Sequence, residues 1–341
     1  MISGNGDTNA RQVVPPHVRP AGTVACTTPQ AVVVPPREPI DGNALLLDVR
    51  TALDRFAVWP KEAALVTACL YAAHAHGRDG KTRLPVFPYS PHLFFTAAEA
   101  HGGSGKSWMA RLVGKFCPDG KMMVEPNKAN FIRLIESRAT PIVTELDVLV
   151  NTGSRSRWFT GIANASYEAD QCTSRTQNGK RVDIPLQTPM ILDGLNSVIT
   201  QTGTDLRTLI SRCIIIHVER APEGYRPPRF DKTARAVFAR GGELLQQWMA
   251  QQVQAGIGDV IPDVPPWLGN RAAALWEPLL AVADAAGGGW PVWARMACAD
   301  LELGGDSWTV PVEEDQEDEN PDVFRATLDM WREQGLLPAA D

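Results

Sequence analysis

The six cysteines, Cys26, Cys69, Cys117, Cys172, Cys213 and Cys298, are scattered along the chain without a single C-x-x-C pair. That spacing argues against a zinc site and against a disulfide framework. No apolar run approaches the roughly 18 residues of a membrane span, and no basic stretch at the N-terminus leads into an apolar segment. The expectation is therefore a chain that is neither secreted nor in contact with a membrane, with a reducing cytoplasm as the simplest setting. A global basic field is missing too, because 33 Lys and Arg stand against 39 Asp and Glu, a formal charge of −6. Any hold on nucleic acid must come from a local basic element. There is also no internal repeat of fixed period.

What is present is a chain of 341 residues, 44% hydrophobic, which is enough for one large or two ordinary domains with a real core. Residues 1–40 are rich in Pro without any helical or strand period and read as a disordered lead-in. Residues 41–90 contain two helices, one from Asn43 to Phe56 on the apolar spacing of Leu45, Leu46, Val49, Leu53 and Phe56, and one from about Ala63 to His76. Residues 91–220 alternate apolar strands (Leu93 to Ala98, Ile142 to Thr144, Met190 to Leu192, Cys213 to Val218) with helices (Trp108 to Phe116, Lys128 to Arg138, Arg157 to Tyr167). That alternation implies an α/β core with a mostly parallel sheet covered on both faces. Residues 221–305 read as an all-α lid domain, with helices at Ala234 to Gln254 and Arg271 to Ala286. Residues 306–341 combine an acidic linker, dense from Glu313 to Glu319, with a terminal helix.

Ala100-His101-Gly102-Gly103-Ser104-Gly105-Lys106-Ser107 fits G-x-x-x-x-G-K-[ST] except at its first position, and it stands between a strand and a helix as that motif requires. Gly102, Gly103, Ser104 and Gly105 would let backbone N–H groups curl around a phosphate. Lys106 would neutralise phosphate oxygens, and the Ser107 hydroxyl would ligate Mg²⁺. ATP and Mg²⁺ are the expected ligands.

Phosphoryl transfer also needs an acidic strand end. In Pro141-Ile142-Val143-Thr144-Glu145-Leu146-Asp147, Glu145 falls where a water-activating acid belongs, but the metal-associated position is the uncharged Thr144. Asp147 could supply the missing charge, or Glu145 and Asp147 could simply cap the next helix. Asn196, just past a strand, is either a γ-phosphate sensor or a turn former. Arg212, before the last strand, is either a residue acting on a neighbouring subunit's nucleotide or a surface arginine paired with an acid. Arg271, at a helix start, could close over the nucleotide. Arg175, Lys180 and Arg181 cluster on a hairpin turned by Asn178-Gly179, with Arg155 and Arg157 before it. They form either a nucleic-acid contact or a charged edge that discourages aggregation. His74 and His76 lie two apart on a helix and so face different ways, which excludes joint metal ligation.

From about Leu45 to Leu301 the chain resembles the actinobacterial, phage and plasmid P-loop proteins catalogued as domain of unknown function 3631. The resemblance is carried by Leu70-Tyr71-Ala72-Ala73-His74-Ala75-His76, by the loop Gly103 to Ser107, by Phe131-Ile132-Arg133-Leu134-Ile135-Glu136, by Arg212 and above all by Asn270 to Asp284. It implies an AAA+-like ATPase core of a mobile element. The order of motifs is also similar to that of superfamily-three helicases, which implies a homo-oligomer, up to a hexamer, acting on single-stranded DNA. Under that resemblance Lys106 and Ser107 hold phosphate and Mg²⁺, and Glu145 acts on water. Asn196 is the sensor, Lys180 and Arg181 touch DNA, and Arg212 acts in trans. The alternative is a nucleotide-binding regulator or scaffold with weak hydrolysis, which Thr144 would allow.

Overall fold

The computed structural model describes residues 39–98, 103–151, 154–200 and 204–304. The expected lead-in, the acidic run and the terminal helix lie outside the described residues.

Local signals set the first helices. In α1 (Gly42–Phe56) the Asp41 carboxylate accepts from the Ala44 N–H, and Leu45, Leu46, Val49, Leu53 and Phe56 are buried together, as a 3.6-residue period dictates. Helix α2 (Glu62–His74) is buried on nearly every side, which is why its sequence has no polar stripe. There follow β1 (His92–Ala97), α3 (Lys106–Phe116), β2 (Lys121–Met123), α4 (Lys128–Glu136), β3 (Pro141–Val143), α5 (Leu146–Asn151) and α6 (Ser154–Ala165). Next come the hairpin β4 (Cys172–Gln177) and β5 (Lys180–Pro185), then β6 (Ile191–Leu195), α7 (Ser197–Thr200), α8 (Thr204–Ile210) and β7 (Cys213–His217). Helices α9 (Lys232–Gln254), α10 (Asn270–Ala286) and α11 (Trp290–Leu303) complete the described chain.

The main sheet has the order β2-β3-β6-β1-β7, and every neighbouring pair is parallel. Strand parity divides its side chains between two cores. Leu93, Phe95 and Ile191 join residues of α1, α2, α3, α9, α10 and α11 on one face, while Phe94 and Leu192 join residues of α4 to α8 on the other. The expected α/β class and covered parallel sheet are thus observed. The helices of 221–305 pack against those of 41–90 in one shared core.

Several elements go beyond what periodicity offered. β2 has only three residues, none of them buried, α5, α7 and α8 are one or two turns long, and α11 hides in a stretch rich in Gly and Trp. β6 runs to Leu195, three residues past its expected end. The hairpin matches expectation: Asn178 and Gly179 both have positive φ, 51° and 73°, as a type I′ turn demands. No described helix is long and apolar enough to cross a membrane.

Three buried histidines carry a consequence for stability. His74 lies against the Phe87 ring, His76 Nε2 is 2.7 Å from Phe116 O and His92 Nε2 is 3.0 Å from Ala163 O. Burial lowers their pKa values from 6.5 to about 3, about 4 and about 4 respectively. The unfolded chain takes up these protons below pH 6.5 while the folded chain does not, so the stability present at neutral pH is lost as pH falls through that window. Melting temperature should therefore decline steadily from pH 6.5 to pH 4. A flat profile across that range would contradict the neutral buried state.

Candidate functional site

The connections of the sheet define a crevice. From β1 the chain moves outward to β2, returns through β3 and β6, and then crosses to β7 on the other side of β1. Ligands of open α/β sheets bind beyond the carboxyl ends of strands at such a reversal. The segment Gly103 to Ser107 lies there, between β1 and α3. Gly105 is the residue before the helix, with φ 87°, and Gly103 has φ 104°. A Cβ at either position would meet nothing within 4 Å, so what demands glycine is the left-handed backbone and not the lack of room. Lys106 and Ser107 follow in the first turn of α3, where unpaired N–H groups and the helix dipole favour an anion. Gly102 lies outside the described residues.

Beneath this turn sits a carboxylate that the sequence reading did not include. Asp193, in β6, is 0% exposed. Its Oδ1 accepts from the Ser107 hydroxyl at 3.1 Å and from the Glu145 backbone N–H at 3.3 Å. Its Oδ2 is buried without a hydrogen-bond partner among the described residues. Burial pushes its pKa above the usual carboxylate value, opposed by the Glu145 N–H, the Ser107 hydroxyl and the Lys106 charge. The sequence signal was an Asp interrupting a central apolar run, Met190-Ile191-Leu192-Asp193. Apolar character alone ends the strand at Leu192, one residue before it.

The acidic segment after β3 is arranged around this residue. Thr144 is buried, and its hydroxyl donates to Met123 O at 3.5 Å, away from Ser107. Glu145 is exposed, with φ 57°. Its carbonyl accepts from the N–H groups of Val148 and Leu149, so the backbone of Glu145 starts α5 while the residue stays exposed. Asp147 was expected on the metal beside Ser107. Its Oδ1 accepts from the Leu195 N–H at 3.1 Å, and the carboxylate hydrogen-bonded to Ser107 is Asp193. Asn196 joins the site: its N–H reaches Ala97 O at 3.0 Å, and its Oδ1 accepts from the Thr96 hydroxyl at 2.8 Å. That bond turns its Nδ2 donor the other way. Beside Gly103 an open cleft of about 650 Å³ is bounded by Arg220, Glu223, Tyr225 and Arg226 from the segment after β7.

Arg212 and Arg271 lie at the amino end of β1, and the basic residues sit on the separate hairpin. The Arg212 carbonyl accepts from the His92 N–H at the start of β1. The Arg212 guanidinium is 3.7 Å from Glu168 and lies over the Tyr167 ring. Arg271, expected over the nucleotide, donates instead to the Ser211 hydroxyl at 2.8 Å. At about 3.3 Å per residue, the length of β1 separates both arginines from Lys106, too far for either to close over that loop. On the hairpin, Arg175 forms a forked pair with Glu136, both contacts at 2.8 Å. Arg181 pairs with Asp183 at 2.9 Å, and Lys180 is exposed beside the turn.

A family model described as a protein of unknown function (DUF3631) matches residues 221–312, which include the 270–284 stretch and supports the family resemblance there. An uncharacterized 28.9 kDa protein in xis 5'region from Saccharopolyspora erythraea is 60% identical over 40 residues. The match covers 12% of this chain and 14% of that relative's length.

The approach of α5 to β6 can be tested directly. A Cβ at Gly194 would lie 3.2 Å from Leu146 Cβ and 3.3 Å from Asp147 Oδ1. Gly194→Ala should lower stability in urea by about 1–3 kcal/mol through overpacking, and an unchanged midpoint would contradict that close contact.

Proposed function

We propose that the protein is an ATP-binding P-loop ATPase of a mobile element, an oligomeric helicase-like motor acting on nucleic acid. The observation that carries this reading is the start of α3: two positive-φ glycines lead into Lys106 and Ser107 at the carboxyl end of a central parallel strand. Beneath them the Ser107 hydroxyl donates to a buried carboxylate. A relative named for an xis 5'region supports the mobile-element part.

In this reading the backbone N–H groups of the loop and Lys106 hold the β- and γ-phosphate oxygens. Magnesium, when bound, neutralises charge that develops on those oxygens. Glu145 takes a proton from the attacking water as its oxygen bonds to the γ-phosphorus and the bond to the β-phosphate oxygen breaks. The Nδ2 of Asn196 donates to the γ-phosphate. The nucleoside extends into the cleft beside Gly103. Arg212 and Arg271, at the far end of the sheet, serve the nucleotide of a neighbouring subunit in a head-to-tail ring. Lys180 is the hairpin residue best suited to a phosphate backbone.

The regulator reading draws on Thr144, which carries no charge. The Asp193 carboxylate beneath the loop weighs against it.

DNA-stimulated ATP hydrolysis should fall about 10²–10³-fold in Lys106→Ala. In Glu145→Gln it should fall about 10²–10⁴-fold with ATP still bound. Mixing inactive Arg212→Ala protein with Lys106→Ala protein should restore part of the activity, because each supplies what the other lacks across a shared boundary. A mixture that stays inactive would contradict action in trans, and ATP binding without turnover by the unsubstituted protein would favour the regulator.

A further inference from the structure

We propose that Asp193 is the carboxylate that holds Mg²⁺ at Ser107, doing from β6 what Thr144 cannot do from β3; the assignment rests on the nucleotide reading above. A carboxylate at 0% exposure in the middle of a parallel sheet is expensive to bury, and such groups are normally fully paired. Asp193 is not, since both of its hydrogen bonds fall on Oδ1 and Oδ2 has no partner among the described residues.

Direction matters as much as distance. Ser107 donates its proton to Asp193, so the hydroxyl lone pairs remain available to a cation. A hydroxyl, a carboxylate reached through water, and phosphate oxygens make the hard oxygen shell that Mg²⁺ prefers. Parity also favours the residue. Asp193 shares a face of β6 with Ile191, which belongs to the core that contains α3, and β6 adjoins β1 directly. Thr144 follows β3, one strand further out, and its hydroxyl is turned to Met123. The charge missing at Thr144 is thus present one strand nearer to the phosphate loop.

Asp193→Asn is the discriminating substitution, because its Oδ1 can keep both existing hydrogen bonds while the charge and the second acceptor are lost. ATP affinity and ATP-induced thermal stabilisation are measured with Mg²⁺ and with EDTA. The Mg²⁺-dependent gain in affinity should shrink about 10- to 100-fold, affinity in EDTA should stay the same, and the ligand-free melting temperature should not fall. Asp193→Ser serves as a second variant of the same prediction. Thr144→Asp alone should give no gain, since two carboxylates on adjacent strands repel, whereas Thr144→Asp in the Asp193→Asn background should recover part of the loss. If Asp193→Asn keeps the full Mg²⁺ dependence, or only lowers the ligand-free melting temperature, Asp193 is structural and the assignment is overturned. If the unsubstituted protein binds no ATP in either condition, the nucleotide reading fails and takes this one with it.

Discussion

The hydrogen bond from Ser107 to Asp193 joins the two parts of the molecule that matter most, the first turn of α3 and the strand beside β1. It is possible only because β6 lies parallel to β1 with Phe95 opposite Asp193, which sets Asp193 two residues short of the strand end at Leu195. A register shift of one would turn Asp193 to the opposite core. Glu145 depends on the same residue, since its N–H completes the Oδ1 contacts. Asp147 and Asn196 then fasten α5 and the end of β6 to the same edge.

The sheet has two chemically different edges. At the carboxyl edge lie the glycine loop, Asp193, Glu145, Asn196 and the cleft bounded by Tyr225. At the amino edge lie Arg212, Arg271 and Tyr167, where Tyr167 shares its surroundings with both guanidiniums. The proposed head-to-tail contact between copies would bring one edge to the other, and its repetition would close a ring where the rotation between copies closes. The basic hairpin is more restrained than its composition implied, because Glu136 and Asp183 already engage Arg175 and Arg181.

Much of the fold was legible in the sequence. The apolar runs of β1, β6 and β7 announced a buried parallel sheet, Asn178-Gly179 announced its hairpin, and Gly103 to Ser107 announced the loop. What escaped was set by tertiary contacts. β2 is too short for any period, and α11 is defined by Trp290 packing into a shared core. The acidic residues around Ser107 were half legible. Glu145 is marked by the strand before it, but Asp193 is not, because a single carboxylate in an apolar strand acquires meaning only when the fold brings another chain segment against it. The neighbour of Arg271 was hidden for the converse reason: its helix start gave no hint that Ser211 would lie beside it.

Ser107 and Asp193 together are proposed to form the metal side of a nucleotide site. The most direct test is a crystal structure of the full chain with Mg²⁺ and a non-hydrolysable ATP analogue. The account predicts an octahedral ion with Ser107 Oγ at about 2.1 Å, one of its waters on Asp193, and phosphates along Gly103 to Lys106. An ion held by Asp147 with Asp193 unengaged, or an analogue bound away from the loop, would contradict it.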